Sequence, residues 1–326
     1  VKEQNSMKKF MTLILSLAMA LTMVACGSKK EDEQVFTVGV VQLVQHEALD
    51  AATQGFTDAL KEALGDKVNV VVKNASNDPQ TCTTIVNGFL ADKVDLIMAN
   101  ATPALQAAAA ATNTVPILGT SVTDYASALE IDNWSGTVGG NISGTSDLAP
   151  LDQQAAMLQE LFPNAKKVGL LFCSSEANSK YQVDEVTKLL TAAGLTCTEF
   201  SFTDSNDVSS VTQSACDNSD VIFIPTDNTA ASNTEAIANV VLASNTPVIA
   251  GESGLCKGCG VATLSIDYYE LGKITGQMAA DVLTGKADIS TLAVKTAPTS
   301  TKQANTANCQ KLGITVPAEY TALATE

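Results

Sequence analysis

Apolar and polar residues fall in blocks along this chain, and the period of the pattern changes from block to block. Val35, Phe36, Val38, Val40, Val41, Leu43 and Val44 form a β-branched run. It is too apolar for a strand with one wet face and suits a parallel strand covered on both sides. Gln42, Gln45, His46 and Glu47 interrupt the run, and Ala48, Leu49, Ala52, Phe56 and Leu60 then recur at helical spacing. The same order of strand, polar loop and helix repeats. Residues 67–73 (KVNVVVK) leave through 74–79 into a helix at 82–90. Residues 95–99 leave through 100–103 into the Ala-rich helix 104–111, and 115–118 leave through 119–124. Such alternation predicts a parallel, right-handed, doubly wound sheet.

A Gly-rich stretch, 133–145 (NWSGTVGGNISGT), breaks the pattern, and a second series follows it. Strands are predicted at 167–173, 196–202, 220–225 and 247–250, with helices at 151–162, 182–193, 207–216 and 232–242. A segment at 261–266, a helix at 268–283, a short strand near 292–296 and a last helix from about 301 complete the chain. The chain thus reads as α/β, with two doubly wound parallel-sheet lobes joined by a three-crossing hinge near Thr145, Ser265 and Leu292. Lobe 1 takes 35–146 plus 266–291, and lobe 2 takes 147–265 plus 292–326. Open α/β sheets bind ligands outside the carboxyl ends of their strands, so residues 42–47 are expected to face one.

Composition narrows the chemistry. The net charge of −16 argues against nucleic acid and against electrostatic binding to anionic lipid. All 19 basic residues are Lys, so no guanidinium clamp exists for a carboxylate or phosphate. His46 is the single histidine, which disfavours Ser-His-Asp, Cys-His and multi-His metal sites. Neither G-x-G-x-x-G nor G-x-x-x-x-G-K-[ST] occurs. The expectation is a binding protein, not an enzyme, with no cofactor and no metal. Of the eight cysteines, Cys256 and Cys259 have CxxC spacing but no second CxxC and no nearby His, which suits a local disulfide or two thiols. Cys82, Cys173 and Cys197 read as small core residues.

Before the first strand, Met7-Lys8-Lys9 opens a basic region, and an uninterrupted apolar stretch runs from 10 to 24. This pattern over 1–25 is that of a secretory signal peptide. Its end, Met23-Val24-Ala25-Cys26-Gly27, resembles a bacterial lipobox, which would make Cys26 the lipidated residue and 26–34 a charged tether. The protein is then expected outside the cytoplasm, anchored by lipid alone to the outer face of the cytoplasmic membrane.

The ordered motifs VGVVQLVQHEALDAATQGFTDAL, NASND, NATPALQAAAAAT, PILGTSVTD, GGNISGTSD, SSEANS, PTDN and IDYYELGKITGQMA cover about 35–297. They resemble the substrate-binding lipoproteins of ABC importers, in the group that includes tryptophan and other aromatic amino acid binders. The resemblance implies a type I periplasmic-binding-protein fold that closes on a small ligand. It further implies a free amino acid, tryptophan or phenylalanine first, delivered to an ABC permease and its ATPase, by a monomer. A branched-chain amino acid, another small carboxylate, or a sensing lipoprotein that signals without import are the alternatives.

Such a site must hold a carboxylate, an ammonium and a side chain. Without Arg, the carboxylate should meet N–H groups and hydroxyls at helix N-termini, offered by Ala101, Thr102, Thr120 and Ser174. Asp227, directly after a buried strand, is the first candidate for the ammonium, followed by Glu176, Asp124 and Glu252. Gln42, His46, Asn178 and Asn228 could orient the ligand by side-chain hydrogen bonds. Leu43, Leu105, Tyr125 and Tyr181 are candidates for the side-chain pocket. Helix capping is the other use of the same hydroxyls and carboxylates.

Overall fold

The computed structural model describes residues 35–323, so the signal peptide and Cys26 lie outside the described residues. From Phe36 onward the chain builds two sheets. Its first part runs β1 (Phe36–Gln42), α1 (Glu47–Leu64), β2 (Val68–Asn74), α2 (Pro79–Ala91), β3 (Leu96–Asn100), α3 (Thr102–Ala111), β4 (Ile117–Val122), α4 (Tyr125–Ala128) and β5 (Ile142–Ser146). The second part runs α5 (Leu151–Leu161), β6 (Lys167–Cys173), α6 (Ala177–Ala192), β7 (Thr196–Phe202), α7 (Val208–Asn218), β8 (Val221–Ile224), α8 (Asn228–Ala231), α9 (Thr234–Ala243), β9 (Val248–Ala250), α10 (Ser253–Gly258) and β10 (Ala262–Ile266). The chain closes with α11 (Tyr268–Leu283), β11 (Lys295–Thr296), β12 (Ser300–Ala304), α12 (Thr306–Lys311) and β13 (Thr321–Ala322).

The first sheet has the order β11-β5-β4-β3-β1-β2 and is parallel throughout. The second has the order β13-β12-β10-β9-β8-β6-β7 and is parallel except where β12 runs against β10. The period-two alternation of strand side chains explains why the central strands are apolar on both faces. In β1, Val38 and Val40 enter one core layer and Val41 the other. In β8, Val221 and Phe223 face one layer while Ile222 and Ile224 face the opposite one. Among the described residues no helix is long and apolar enough to cross a membrane.

Three differences from the sequence expectation are local. The stretch at 292–296 reduces to Lys295–Thr296, which pairs with Thr145 and Ser146 of the first sheet. The chain therefore enters the second sheet only at Ser300, later than the crossing expected at Leu292. The helix expected from 301 is instead β12, and the helix begins at Thr306 with Asn305 as its cap. STKQA carries a single apolar residue, Ala304, too little to reveal a strand, and its ladder with β10 decides the conformation. Finally, residues 142–146, read as part of the Gly-rich break, form β5, while the helix expected at 232–242 is α9, preceded by the separate short α8.

Helices α1 and α11 touch backbone to backbone on the first sheet. A Cβ on Gly272 would lie 2.0 Å from the Ala52 carbonyl oxygen, and one on Gly55 would lie 2.0 Å from that of Tyr269. Only glycine fits at such an approach. Beneath this pair, the Thr120, Thr145 and Thr275 hydroxyls form a closed ring of hydrogen bonds at 3.0, 2.8 and 3.2 Å, tying α11 to β4 and β5.

Candidate functional site

Every polar loop singled out in the sequence leaves the carboxyl end of a parallel strand, and loops from the two sheets meet. His46 Nε2 lies 3.2 Å from Asn228 Oδ1, and Asn77 Nδ2 donates to Thr229 Oγ1 at 2.9 Å. Lys257 of α10 pairs with Glu47 of α1 at 3.2 Å. Next to these contacts lies a recess of about 420 Å³, lined by His46, Glu47, Ser232, Glu252 and Lys257 among others.

On the first lobe the key element is the start of α3. Ala101 is fully buried with φ 96° and ψ 157°, a region that residues with a Cβ seldom enter. No side chain caps the helix, so the N–H groups of Thr102 and Ala104 are left uncapped, and Pro103 has none to give. Thr102 is 2% exposed, yet its hydroxyl has no partner. At the end of β4, Ser121 is also buried with an unpartnered hydroxyl and a φ of 53°. A buried helix start of this kind offers N–H groups and a hydroxyl that can receive an anion.

Asp147, just past β5 at the first crossing, escapes the sequence reading. It is 3% exposed; its Oδ2 accepts from the Tyr268 hydroxyl at 2.9 Å, and its Oδ1 has no partner. Burial raises the Asp147 carboxyl, opposed by the hydroxyls of Tyr268 and Thr123, which favour its charged form. The same burial, with the charge of Asp147, raises the Tyr268 phenol well above its usual value.

The second lobe treats its carboxylates differently. Glu176 accepts from five donors: the Asn178 side chain, the Asn228 backbone and side chain, and the Thr229 backbone and hydroxyl. Asp227 accepts from Cys173 N, Ser179 Oγ and Ala230 N, and caps α8. Burial and then the Glu176 carboxylate push the Asp227 carboxyl up to about 7, against those three donors. Glu252 caps α10 through Gly254 N and Leu255 N, and burial pushes it up to about 7. The oxygens of these three residues are therefore occupied within their own lobe.

Of the other expected contacts, Gln42 is taken up within its own lobe. Its amide nitrogen donates to Val44 O and Asp50 Oδ1, and its oxygen accepts from Thr53. Thr120 belongs to the buried threonine ring, Asp124 caps α4 at Ser127 N, and Ser174 is exposed with its hydroxyl on Phe202 O. Leu43, Leu105 and Tyr125 belong to the first lobe's core. Asn178 is buried and keeps an unpartnered Oδ1. His46 is half-buried with an unpartnered Nδ1, and desolvation lowers its pKa despite the Asn228 bond and the nearby carboxylates. The cysteines Cys82, Cys173, Cys197, Cys216, Cys256, Cys259 and Cys309 are all free thiols, and no cluster suited to a metal occurs among the described residues. Caps and ligand contacts use the same residue types, so sequence alone could not separate them. Asp147 was hidden because it follows a Gly-rich stretch and not an apolar strand.

Three comparisons bear on this geometry. A tyrosine-binding protein of Clostridioides difficile (strain R20291) is 35% identical over 294 residues, 86% of this chain and 85% of that protein. A domain from Streptococcus pneumonia solved in complex with L-Trp is 32% identical, with a TM-score of 0.85 over 89% of this chain and 100% of its own. A Clostridium difficile substrate-binding protein with adhesive properties, solved in a ligand-free, open form, is 35% identical. Its TM-score is only 0.68, over 90% of this chain and 100% of its own. In this chain the side chains of Asn228 and Thr229 touch His46 and Asn77 of the other sheet's loops directly. The family model for ABC transporter substrate binding proteins matches residues 37–326, and this chain belongs to that family.

Proposed function

We propose that this chain is the extracytoplasmic, lipid-anchored receptor of an ABC importer, and that it binds a free aromatic amino acid between its lobes. The observation that carries the reading is a pair of buried, unsatisfied groups of opposite preference: the uncapped α3 start with Thr102, and Asp147 Oδ1 at the first crossing. One suits a carboxylate and the other an ammonium. They follow β3 and β5, which flank β4 in the sheet, so they lie about 10 Å apart at the usual strand spacing. Hydrogen bonds of about 2.8 Å on either side of an α-amino acid can bridge such a span.

Ser121 and Asn178, each with a buried unpartnered oxygen, complete the set of polar groups for the ligand. The aromatic side chain is supported by the relatives, one named for tyrosine and one solved with L-Trp, and on that support we put tyrosine beside tryptophan, ahead of phenylalanine. Glu176, Asp227 and Glu252 act as scaffold for the second lobe. Closure stabilised by contacts made only in the closed state is the signal a permease would read.

Titration calorimetry of the mature chain against the free amino acids tests the assignment. Tryptophan and tyrosine should bind with saturable heat. Binding of leucine or a sugar, with no heat from any aromatic amino acid, sinks it.

A further inference from the structure

Beside the Lys257–Glu47 ion pair, two side-chain hydrogen bonds among the described residues join loops of the two lobes, and both end on adjacent residues at the start of α8. His46 meets Asn228 and Asn77 meets Thr229. Both of these residues are in turn held by one side chain, Glu176, which is 3% exposed and lies on another loop of the second lobe. A carboxylate can only accept. Asn228 Nδ2 therefore donates to Glu176 Oε2 at 2.6 Å, which turns Oδ1 of the same amide toward His46. The donor to Asn228 must then be His46 Nε2–H, so the imidazole holds its proton there and Nδ1 is bare. In the same way the Thr229 hydroxyl gives its proton to Glu176 Oε1 at 2.8 Å, leaving a lone pair for Asn77.

We propose that Glu176 is a positioning residue for lobe closure: it fixes the polarity of Asn228 and Thr229 so that they form a two-point latch with His46 and Asn77. The latch is made between protein groups, so it adds to the stability of the closed state whatever ligand the cleft holds. An isosteric amide cannot replace the carboxylate. Glu176 Oε2 receives the Asn228 backbone N–H at 3.0 Å, and Oε1 receives that of Thr229 at 2.8 Å. Either orientation of a glutamine sets its NH2 against a backbone N–H that cannot turn.

The inference rests on the family's closing motion and not on the identity of the ligand, and its test has two arms. In small-angle X-ray scattering of the ligand-free protein, Glu176→Gln, His46→Ala and Asn77→Gly should each enlarge the radius of gyration relative to wild type. Glycine keeps the positive φ of 63° at Asn77 while removing only the side chain. In stopped-flow binding of L-tryptophan or L-tyrosine, each variant should release ligand about tenfold faster, the loss of one or two net hydrogen bonds. Association should change less than about twofold. Adding His46→Ala to Glu176→Gln should cost less than about a further twofold, because both act on the same contact.

Unchanged radii in all three variants overturn the latch. So does a Glu176→Gln protein that stays as compact as wild type but no longer binds, because Glu176 would then be a ligand contact. If neither amino acid binds wild type, the ligand assignment fails and scattering still decides the latch. Should Glu176→Gln unfold, Asn77→Gly on its exposed loop carries the test alone.

Discussion

Helix α3 in the first lobe and helices α8 and α10 in the second all start at the carboxyl end of a parallel strand, yet their first turns are treated differently. Asp227 and Glu252 fold back on the N–H groups of α8 and α10 and satisfy them from within. The start of α3 has only Ala101 in that place, with no side chain able to accept, and an unpartnered Thr102 hydroxyl beside it. The carboxylates follow the same division. Asp227, Glu176 and Glu252 have donors on both oxygens, whereas Asp147 keeps one oxygen bare. A buried polar group without a partner costs free energy, and one place where that cost is offset is a ligand site. The contrast teaches that carboxylates near a cleft are sorted by the donors they already hold, not by their distance from it.

The largest effect should come from Asp147→Asn. Loss of a buried charge partner costs about 3 kcal/mol, so affinity for tryptophan or tyrosine should fall roughly a hundredfold. The melting temperature should stay close to that of wild type. Asp227→Asn should do the reverse. Its new NH2 meets the Cys173 or Ala230 N–H, lowering unfolding free energy by about 2 kcal/mol in urea titrations. Affinity of the folded fraction should change less than about threefold. If Asp227→Asn abolishes binding and Asp147→Asn does not, the comparison between the lobes is inverted. Thr102→Val, which keeps shape and removes one hydroxyl, should weaken binding about tenfold in calorimetry.

The smallest effect concerns pH. Burial lifts the Glu252 carboxyl from 4.5 to about 7, so the folded state holds this proton more tightly than the unfolded chain. Its contribution to stability is therefore complete below about pH 4.5 and is lost as pH rises to about 7. Glu252→Gln should flatten the pH dependence of unfolding free energy over that window by on the order of 1 kcal/mol. A steeper dependence in the variant would show that Glu252 is charged in the folded protein.

Much of the fold was legible in the sequence because two-sided burial leaves continuous apolar strands, and every such run except the ambiguous end of the chain became a parallel strand. β12 was not legible because its five residues, Ser300–Ala304, gain their conformation from Leu264 and its neighbours and not from their own pattern. The site was legible as a set of loops but not as a set of roles. Glu176 and Asp147 look alike in one dimension; what separates them is five donors against a bare oxygen. Gln42 is a plainer case. It ends β1, yet Val44 just beyond it and Asp50 and Thr53 on the next helix take its whole amide.

The backbone contact between α1 and α11 bears on how the molecule moves. No side chain cushions Gly272 against Ala52 or Gly55 against Tyr269, so neither helix can slide or roll on the other without collision. One end of this pair carries His46, and the other element begins at Tyr268, next to a crossing. The two helices thus form a stiff lever arm. A rotation that separated the lobes would have to be absorbed by torsion in the crossings themselves, at 147–150, near 267 and at 297–299. A displacement of His46 away from Asn228 is then a direct readout of the hinge angle.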